Sequence, residues 1–321
     1  MLKREEVLDV LQFNNGFDNP AKWVNYAISH RFHKTASVRL NACPDCGSHL
    51  LRYVGQFIYY STLIRIMKCE CGLVFADTRL DPKVIQVHFE RTYKNECYFT
   101  VKRRKIFSQI ARLADRAVPA SGKVLDIGGA KGHLLAILKE RRPDLELVLN
   151  DLSRDACQWG KTTYGFQTIT GGIGAIEQIQ DRFDVVVLSD VIYYEPEIQR
   201  LWSVLPRLVK DGGTIIMRMP NIASIILFWQ AVNRIFVRND MQDSILFMNP
   251  EHLYIFTRRY LLRRIRGVGF NDITVAPSDL LISKNQDLFR SAAYFLCKLL
   301  WLLTFKKITM TPSMLLIARR R

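Results

Sequence analysis

Residues 123–133 read KVLDIGGAKGH, and this stretch decides the fold of the chain. Its first five residues, Lys123–Ile127, form a short apolar run that is typical of a buried β-strand. The run leads into a glycine-rich turn at 128–132, and apolar residues then recur with helical spacing over 133–141. A buried strand that turns through glycines into a helix is the first unit of a parallel α/β sheet.

The same alternation continues along the chain. A second strand is predicted at 145–150, ending at Asp151, and a helix over 153–164. Apolar runs at 183–188 and 213–218 predict two more strands. Strands that alternate with helices indicate an α/β fold with a doubly wound parallel sheet.

The sequence of the glycine turn differs from two common nucleotide-binding motifs. It lacks both the dinucleotide fingerprint G-x-G-x-x-G and the phosphate loop G-x-x-x-x-G-K-[ST]. What remains is Asp126 at the end of the first strand, followed by glycines that let a ligand approach the backbone at a helix N-terminus. Asp151 closes the next strand 25 residues later, where a carboxylate can accept both hydroxyls of a ribose. The pattern predicts a zwitterionic ligand that carries a ribose.

Residues 124–132, VLDIGGAKG, resemble the first motif of the class I S-adenosylmethionine-dependent methyltransferases, V-L-D-x-G-x-G-x-G, with Ala130 in place of the middle glycine. Residues 183–192 are similar to the fourth strand of that family, and 208–215 to the helix and turn into its fifth. Residues 249–270 resemble a block found in one bacterial subgroup, which carries an N-terminal zinc ribbon and often acts on sugars or other small metabolites. The resemblance implies a Rossmann-like seven-stranded methyltransferase sheet and S-adenosylmethionine as cofactor.

The resemblance also implies a cofactor site. The residues assigned to it are Asp126, Gly128, Gly129, Gly132, Asp151, Leu152, Ile173 and Ser189. In this assignment Asp126 and the glycines shape the pocket for the methionine end, Asp151 holds the ribose, and Ile173 packs near the adenine. Ser189 and Asp190 face the transferred methyl group.

Two departures from the family pattern bear on this site. Gly171-Gly172 stands where the family often has a carboxylate near the adenine amino group, and Tyr193-Tyr194 stands where it often has Glu-His. His252 is therefore the first choice as general base for a hydroxyl acceptor, because an imidazole with a pKa of ~6.5 takes up protons near neutral pH. Asp190 and Tyr194 are the alternative bases.

Each assignment has a purely structural alternative. His252 could be a loop histidine that only bonds the backbone, and Asp151 could be a helix N-cap before Ser153. Gly128 and Gly132 could form a plain tight turn between strand and helix.

Four of the seven cysteines lie in two close pairs, Cys43/Cys46 and Cys69/Cys71, each followed by glycine and with 22 residues between them. An apolar and aromatic stretch over 53–67 predicts strands that join the pairs, as in a zinc ribbon. His49 is an alternative ligand if Cys69 and Cys71 cannot both reach the metal. A site with four protein ligands leaves no open coordination position, so the expected role of zinc is structural.

The domain organisation follows from these motifs. Residues 1–80 are predicted to form a helical lead-in and the zinc ribbon, and residues 81–321 the methyltransferase domain. Apolar insertions at 222–248 and 285–307 interrupt that domain and are too short to span a bilayer. Basic residues at their edges or ends are typical of helices that lie in the plane of a membrane. A substrate lid or a homodimer face is the alternative.

The composition fits a folded protein with an anionic partner. Among 321 residues, 49% are hydrophobic, which excludes disorder as the main state. The net charge of +16 divides into +8 over 1–120, −1 over 121–220 and +9 over 221–321, so the excess lies in the flanks. Together with the apolar insertions, this favours an anionic membrane surface over nucleic acid as the partner. The start of the chain has no apolar run that could serve as a signal peptide, which predicts a cytoplasmic protein, peripheral at the cytoplasmic membrane face.

The expected function is methyl transfer to a hydroxyl of a sugar, glycan or lipid-linked small metabolite. An RNA methyltransferase is one alternative, because some of these enzymes also pair a zinc ribbon with this fold and the charge suits phosphate. The sequence shows no aromatic and basic interleaving suited to stacking bases, which counts against RNA. A non-catalytic binding protein with a decayed cofactor pocket is the other alternative, suggested by Ala130, Gly172 and Tyr194.

Overall fold

The structure is a computed structural model that describes residues 37–59, 62–80, 93, 98–222, 252–280 and 288–321. The predicted helical lead-in before residue 37 lies outside the described residues. So do residues 223–248 of the first predicted insertion and 285–287 of the second.

The described residues fall into two compact units. The first holds the residues up to 80 together with 252–255, and the second holds the others. The predicted boundary between residues 80 and 81 stays a prediction.

The first unit is built from short antiparallel strands. They are β1 (Ser37–Arg39), β2 (Leu51–Tyr59), β3 (Thr62–Cys69), β4 (Val74–Ala76), β5 (Thr78–Leu80) and β11 (Tyr254–Ile255). β1 pairs with β5, and the other four form a sheet in the order β11-β4-β3-β2. In β3, Ile64 and Ile66 are buried while Leu63 is exposed, which is the alternation expected of a sheet with one covered face.

The second unit contains seven strands and seven α-helices among its described residues. The strands are β6 (Lys123–Ile127), β7 (Glu146–Asp151), β8 (Gln167–Thr170), β9 (Phe183–Ser189), β10 (Val209–Pro220), β12 (Phe270–Pro277) and β13 (Ser313–Arg320). The helices are α1 (Arg104–Ala117), α2 (His133–Arg141), α3 (Arg154–Tyr164), α4 (Ile173–Glu177), α5 (Ile198–Leu208), α6 (Arg258–Gly267) and α7 (Leu288–Leu303). A π-helical turn at Tyr98–Lys102 precedes α1, and a 3₁₀ turn at Ile192–Tyr194 follows β9.

The seven strands form one sheet in the order β12-β13-β10-β9-β6-β7-β8. Neighbouring strands from β10 to β8 are parallel, and β13 is antiparallel to both of its neighbours. From β6 the chain winds outward to β7 and β8 on one side, and β9 and β10 fill the other side. The winding direction therefore reverses between β6 and β9, which is where doubly wound sheets open a ligand crevice at the carboxyl ends of the strands. The predicted seven-stranded doubly wound sheet is confirmed.

Two strands begin at other residues than predicted. β7 begins at Glu146 instead of residue 145 and ends at Asp151 as expected, and β10 begins at Val209 instead of residue 213. β8 was not predicted from the sequence, because three of its four residues, QTIT, are polar and none is buried. An edge strand exposes one row of its residues and so lacks the apolar run that marks the central strands.

The core lies on both faces of the central strands. Val185, Val186, Val187 and Leu188 of β9 are all fully buried, because helices cover the sheet on both sides. α1 packs against α2, and the buried apolar side chains of α1 join those of β6 and β9 in one cluster. This packing fixes the strand ends that carry the polar residues described next.

The second predicted insertion contains α7, which is 16 residues long. Within the described ranges, every helix is too short or too polar to cross a membrane.

Candidate functional site

The glycine turn after β6 has the backbone that its sequence predicts. Gly128 and Gly132 have φ angles of +68° and +80°, in the left-handed region that glycine adopts without strain. A side chain at Gly128 would also come within 2.4 Å of the Val191 side chain. Ala130, the departure from the family motif, adopts a φ of +51°, so it holds the conformation for which glycine is the usual residue. The turn therefore keeps its shape despite the substitution.

Asp126, at the end of β6, is a buried carboxyl group. Its residue is 1% exposed, and neither carboxyl oxygen receives a hydrogen bond from the described residues. Burial, and then the neighbouring Asp151 carboxylate, raise the pKa of Asp126 to about 8, while Arg103 partly opposes the shift. A buried acid without donors is costly in its charged form, so Asp126 is ready to pair with a cation.

Asp151, at the end of β7, is held by three donors. The amides of Ala130 and Ser153 each donate to one of its oxygens at 2.8 Å, and the Tyr93 hydroxyl donates to both, at 3.2 and 3.1 Å. Burial raises the pKa of Asp151, although these hydrogen bonds oppose the shift. The N-cap of α3 is Ser153, whose side chain accepts from the Ala156 amide. The alternative that Asp151 caps this helix is therefore wrong.

The loop after β8 lies beside Asp151. The Gly171 amide donates to the Asp151 carbonyl at 2.9 Å, and the Asn150 side-chain amide donates to the carbonyls of Ile169 and Gly171. These bonds fix the start of α4, where Ile173 is buried. Leu152 is 64% exposed, and a Cβ at Gly172 would lie 3.7 Å from its side chain. An exposed apolar side chain next to this loop can pack on a flat ring.

Two arginines converge on Asp190, directly after β9. Arg103 and Arg218 both donate to the same carboxylate oxygen of Asp190. The three side chains are each 8% exposed. Burial alone would raise the pKa of Asp190, but the two guanidinium groups outweigh it and hold the pKa below its usual value. Asp190 is therefore an ionised partner of the arginines, which makes it a weak proton acceptor.

Further bonds extend from these arginines. Arg103 contacts the Ser189 hydroxyl at 3.4 Å, and Arg218 donates to the Ser278 hydroxyl at 2.8 Å. Since Arg103 also lowers the pKa of Asp126, its charge lies close enough to act on the end of β6. The carboxyl ends of β6, β9 and β10 thus share one group of buried charges.

Three of these residues are not predicted by any motif in the sequence. Tyr93, Arg103 and Arg218 lie far from the glycine motif along the chain. Arg218 ends a predicted strand, and a buried charge within an apolar run is a signal that could have found it. Arg103 lies in a basic cluster, 102–105, that looks like a solvated helix face, and no sequence signal distinguishes it.

The three candidate bases are divided between the two units. Asp190 and Tyr194 belong to the second unit, where the Tyr193 and Tyr194 rings lie 4.5 Å apart. His252 belongs to the first unit and is buried beside β11, where the next residue, Leu253, accepts a hydrogen bond from the Ala76 amide. The assignment of His252 as the base stays a prediction.

The four paired cysteines converge in the first unit. The sulfur atoms of Cys43, Cys46, Cys69 and Cys71 all lie within 4.8 Å of one another. Tetrahedral coordination with zinc–sulfur bonds of about 2.3 Å places sulfurs about 3.8 Å apart. The sulfurs of Cys43 and Cys71 are 3.7 Å apart, and those of Cys46 and Cys69 are 3.5 Å apart, so the cluster fits a zinc ion. His49 is not needed as a ligand, and its Nδ1 is 3.0 Å from the Asn41 carbonyl oxygen.

Replacing Asp190 tests the buried charge group. Asp190→Asn leaves two buried guanidinium groups without their shared anion, and we expect it to lower the free energy of unfolding by about 3–5 kcal/mol. The measurement is urea denaturation followed by tryptophan fluorescence. Asp211→Asn is the matched control, because Asp211 is 72% exposed in its pair with Arg320 and its loss should cost under about 1 kcal/mol. Equal stability of the two variants would contradict the buried pairing.

Comparison with known sequences gives a family. The profile of the methyltransferase domain family matches residues 98–275, more than half of the chain. A malonyl-[acyl-carrier protein] O-methyltransferase of Acetivibrio thermocellus is 20% identical over 138 residues, which cover 42% of this chain and 49% of that protein. The chain thus spans about half the length of the curated relative that it matches.

Two solved structures of methyltransferases are among those with similarity to this chain. A SAM-dependent methyltransferase from Archaeoglobus fulgidus is 17% identical, with a TM-score of 0.47 over 71% of this chain and 99% of its own. A SAM-dependent methyltransferase from Thermotoga maritima, described as a possible histamine N-methyltransferase, is 13% identical, with a TM-score of 0.48 over 74% and 99%. The resemblance seen in residues 124–132 is confirmed by the family match: the chain belongs to the methyltransferase domain family.

Proposed function

We propose that this protein is an S-adenosylmethionine-dependent methyltransferase that methylates a hydroxyl of a sugar, glycan or lipid-linked small metabolite. The observation that carries the proposal is the buried Asp126 carboxyl group, which lacks a donor among the described residues and lies beside the glycine turn at the reversal of the sheet. The match to the methyltransferase domain family supports it.

The residues of the second unit fit this cofactor. Asp126 would pair with its ammonium group, and Asp151 would accept the ribose hydroxyls, with Tyr93 as a third group at that carboxylate. Leu152 and Ile173 would pack on the adenine. The turn containing Gly128, Gly129 and Gly132 would let the methionine end approach the backbone, while Ser189 and Asp190 lie towards the reacting end.

When bound, S-adenosylmethionine supplies a methyl group on a sulfonium, which an aligned nucleophile can accept in line. The protein has to position the acceptor and take the proton of its hydroxyl group. We propose His252 for that proton, with Tyr194 as the alternative. Asp190 is a weaker candidate than the sequence indicates, because two arginines hold its pKa low.

One relative bears on the acceptor class. The Acetivibrio relative is named as an O-methyltransferase, which agrees with an oxygen acceptor but does not indicate a sugar. The RNA alternative gains no specific support from the described residues. One of the reasons for the alternative of a non-catalytic protein with a decayed cofactor pocket no longer holds. Ala130 keeps the left-handed turn, and its amide donates to Asp151.

Transfer of a labelled methyl group tests the function. We expect the full chain, incubated with methyl-labelled S-adenosylmethionine and fractionated bacterial extracts, to place the label on a hydroxyl oxygen of a sugar-containing or lipid-linked compound. Mass spectrometry identifies the compound that gains the methyl. Label found in RNA, or in no compound although the cofactor binds, would contradict the proposal.

Three variants separate the roles in this assay. Asp151→Ala should weaken cofactor binding at least about tenfold, because two ribose hydrogen bonds are lost. His252→Gln should lower kcat and leave cofactor affinity unchanged. Asp155→Ala is the matched control, because Asp155 is an exposed carboxylate four residues further along the chain. If Asp151→Ala binds the cofactor as well as Asp155→Ala does, Asp151 does not hold the ribose.

The raised pKa of Asp126 predicts that ligand binding releases a proton. When the pH is below the Asp126 pKa of about 8, the carboxyl group of the free protein is protonated. Pairing with an ammonium group requires the charged form. The affinity for S-adenosylhomocysteine, which keeps the amino-acid and ribose groups, should therefore rise between pH 6 and 8 by up to about tenfold per pH unit. It should level off above pH 8.

Calorimetry at pH 7 in two buffers of different ionisation enthalpy measures the released proton. Asp126→Asn should bind more weakly and release none, and Asp181→Asn, an exposed carboxylate paired with Lys123, should behave as the wild type. An affinity that is constant from pH 6 to 8 would show that Asp126 does not pair with the ammonium group.

We also propose that the four-cysteine cluster holds one structural zinc ion. We expect the purified chain to contain about one zinc per molecule, and Cys46→Ser to lose it and to destabilise the first unit, since structural zinc supplies much of the folding energy of small domains. Elemental analysis and proteolysis report the two effects. Cys297→Ser is the control, because Cys297 lies on α7, outside the cluster. Full zinc content in Cys46→Ser would exclude this ligand set.

A further inference from the structure

α7 has an exposed apolar face that the methyltransferase function does not require. The large apolar side chains on it that are at least 39% exposed are Phe295, Leu296, Leu299, Leu300, Leu302 and Leu303. At 3.6 residues per turn, positions 295, 299 and 302 lie in one row, and 296, 300 and 303 lie beside it. These side chains therefore form one continuous apolar stripe.

The opposite face of α7 is fixed to the protein. The Trp301 indole donates to the Val275 carbonyl of β12 at 2.8 Å, and the Tyr294 hydroxyl donates to Asp279 at 2.7 Å. Lys298 also pairs with Asp279, at 3.2 Å. Because these contacts hold the helix along one side, its rotation is set and the apolar stripe points outward.

The end of α7 adds a strained, exposed aromatic residue. Phe305 and Lys306 have φ angles of +51° and +65°, which cost of order 1–3 kcal/mol per residue outside glycine. This turn ends the helix and leaves Phe305 85% exposed. Strain that presents an aromatic side chain to the outside points to a contact at that place.

The charge around the stripe selects the partner. Residues 288–321 contain no carboxylate side chain, and Lys306 and Lys307 follow the apolar stripe directly. Lys298 is already paired with Asp279, so the two terminal lysines carry the attraction to an anion. A bare phosphate ligand or an RNA would use the lysines but not the leucine row, whereas a membrane with acidic headgroups uses both.

The length of α7 determines how it can meet a bilayer. Its 16 residues span about 24 Å, less than the ~30 Å thickness of the hydrocarbon layer. A helix anchored along one side and apolar along the other can lie in the interface plane, with the apolar side in the acyl region and the lysines at the headgroups. We infer that α7 and Phe305 form a docking surface for a lipid bilayer with acidic headgroups.

Vesicle flotation of the full chain tests this docking surface. Wild type should float with vesicles of 70% phosphatidylcholine and 30% phosphatidylglycerol in 0.1 M NaCl, and severalfold less with phosphatidylcholine alone or in 0.5 M NaCl. The double substitution Leu299→Glu with Leu303→Glu should reduce the bound fraction at least tenfold. Leu299→Lys with Leu303→Lys should also reduce it, which shows that the apolar row is needed in addition to positive charge.

Two controls keep the test specific. Val38→Glu alters an exposed apolar residue in the first unit and should change vesicle binding less than twofold. All variants should bind S-adenosylhomocysteine as wild type does, which shows that they are folded. Docking does not depend on methyl transfer, so its failure with cofactor binding intact would leave the proposed function standing.

Two results would overturn the inference. One is that the wild type does not bind acidic vesicles in 0.1 M NaCl, or that the double glutamate variant binds them as well as the wild type does. The other is a wild-type dimer by light scattering that the same substitution converts to a monomer, because a second copy of the chain would then be the partner of the stripe.

Discussion

The site depends on one constraint: a carboxyl group buried at the end of the central strand has to be neutralised. Asp126 lies at the point where the sheet reverses its winding, 1% exposed and without a hydrogen-bond donor among the described residues. Water cannot stabilise its charge there, so the group is either protonated or paired with a cation. The affinity of this position for a cationic group is thus built into the fold.

The neighbouring charges meet the same constraint in other ways. Two backbone amides and the Tyr93 hydroxyl donate to Asp151, and two arginines donate to Asp190 and hold its pKa below the usual value. Three carboxyl groups at one sheet edge therefore differ in function because their donors differ. The group without donors is the one open to a ligand, while Asp190 organises the arginines beside it.

In the first unit the corresponding constraint is stability. Most of its described strands are short, and a bound metal would add stability to a sheet of this kind. The close approach of four sulfur atoms supplies the ligand set without an open position. The cofactor site proposed for the second unit and the metal site proposed for the first rest on different groups of residues.

The sequence by itself determined the doubly wound sheet, the glycine turn, the two strand-ending carboxylates and the paired cysteines. These features are local: apolar periodicity, a left-handed turn and ligand spacing each involve residues close together in the chain. Only the tertiary structure decided that Tyr93, Arg103 and Arg218 join the site, because they come from three distant positions of the chain and meet only in the folded protein. It also decided that Ser153, not Asp151, caps α3, and that the stripe of α7 faces outward. Packing and burial set which donor reaches which carboxylate, and neither can be read from spacing along the chain.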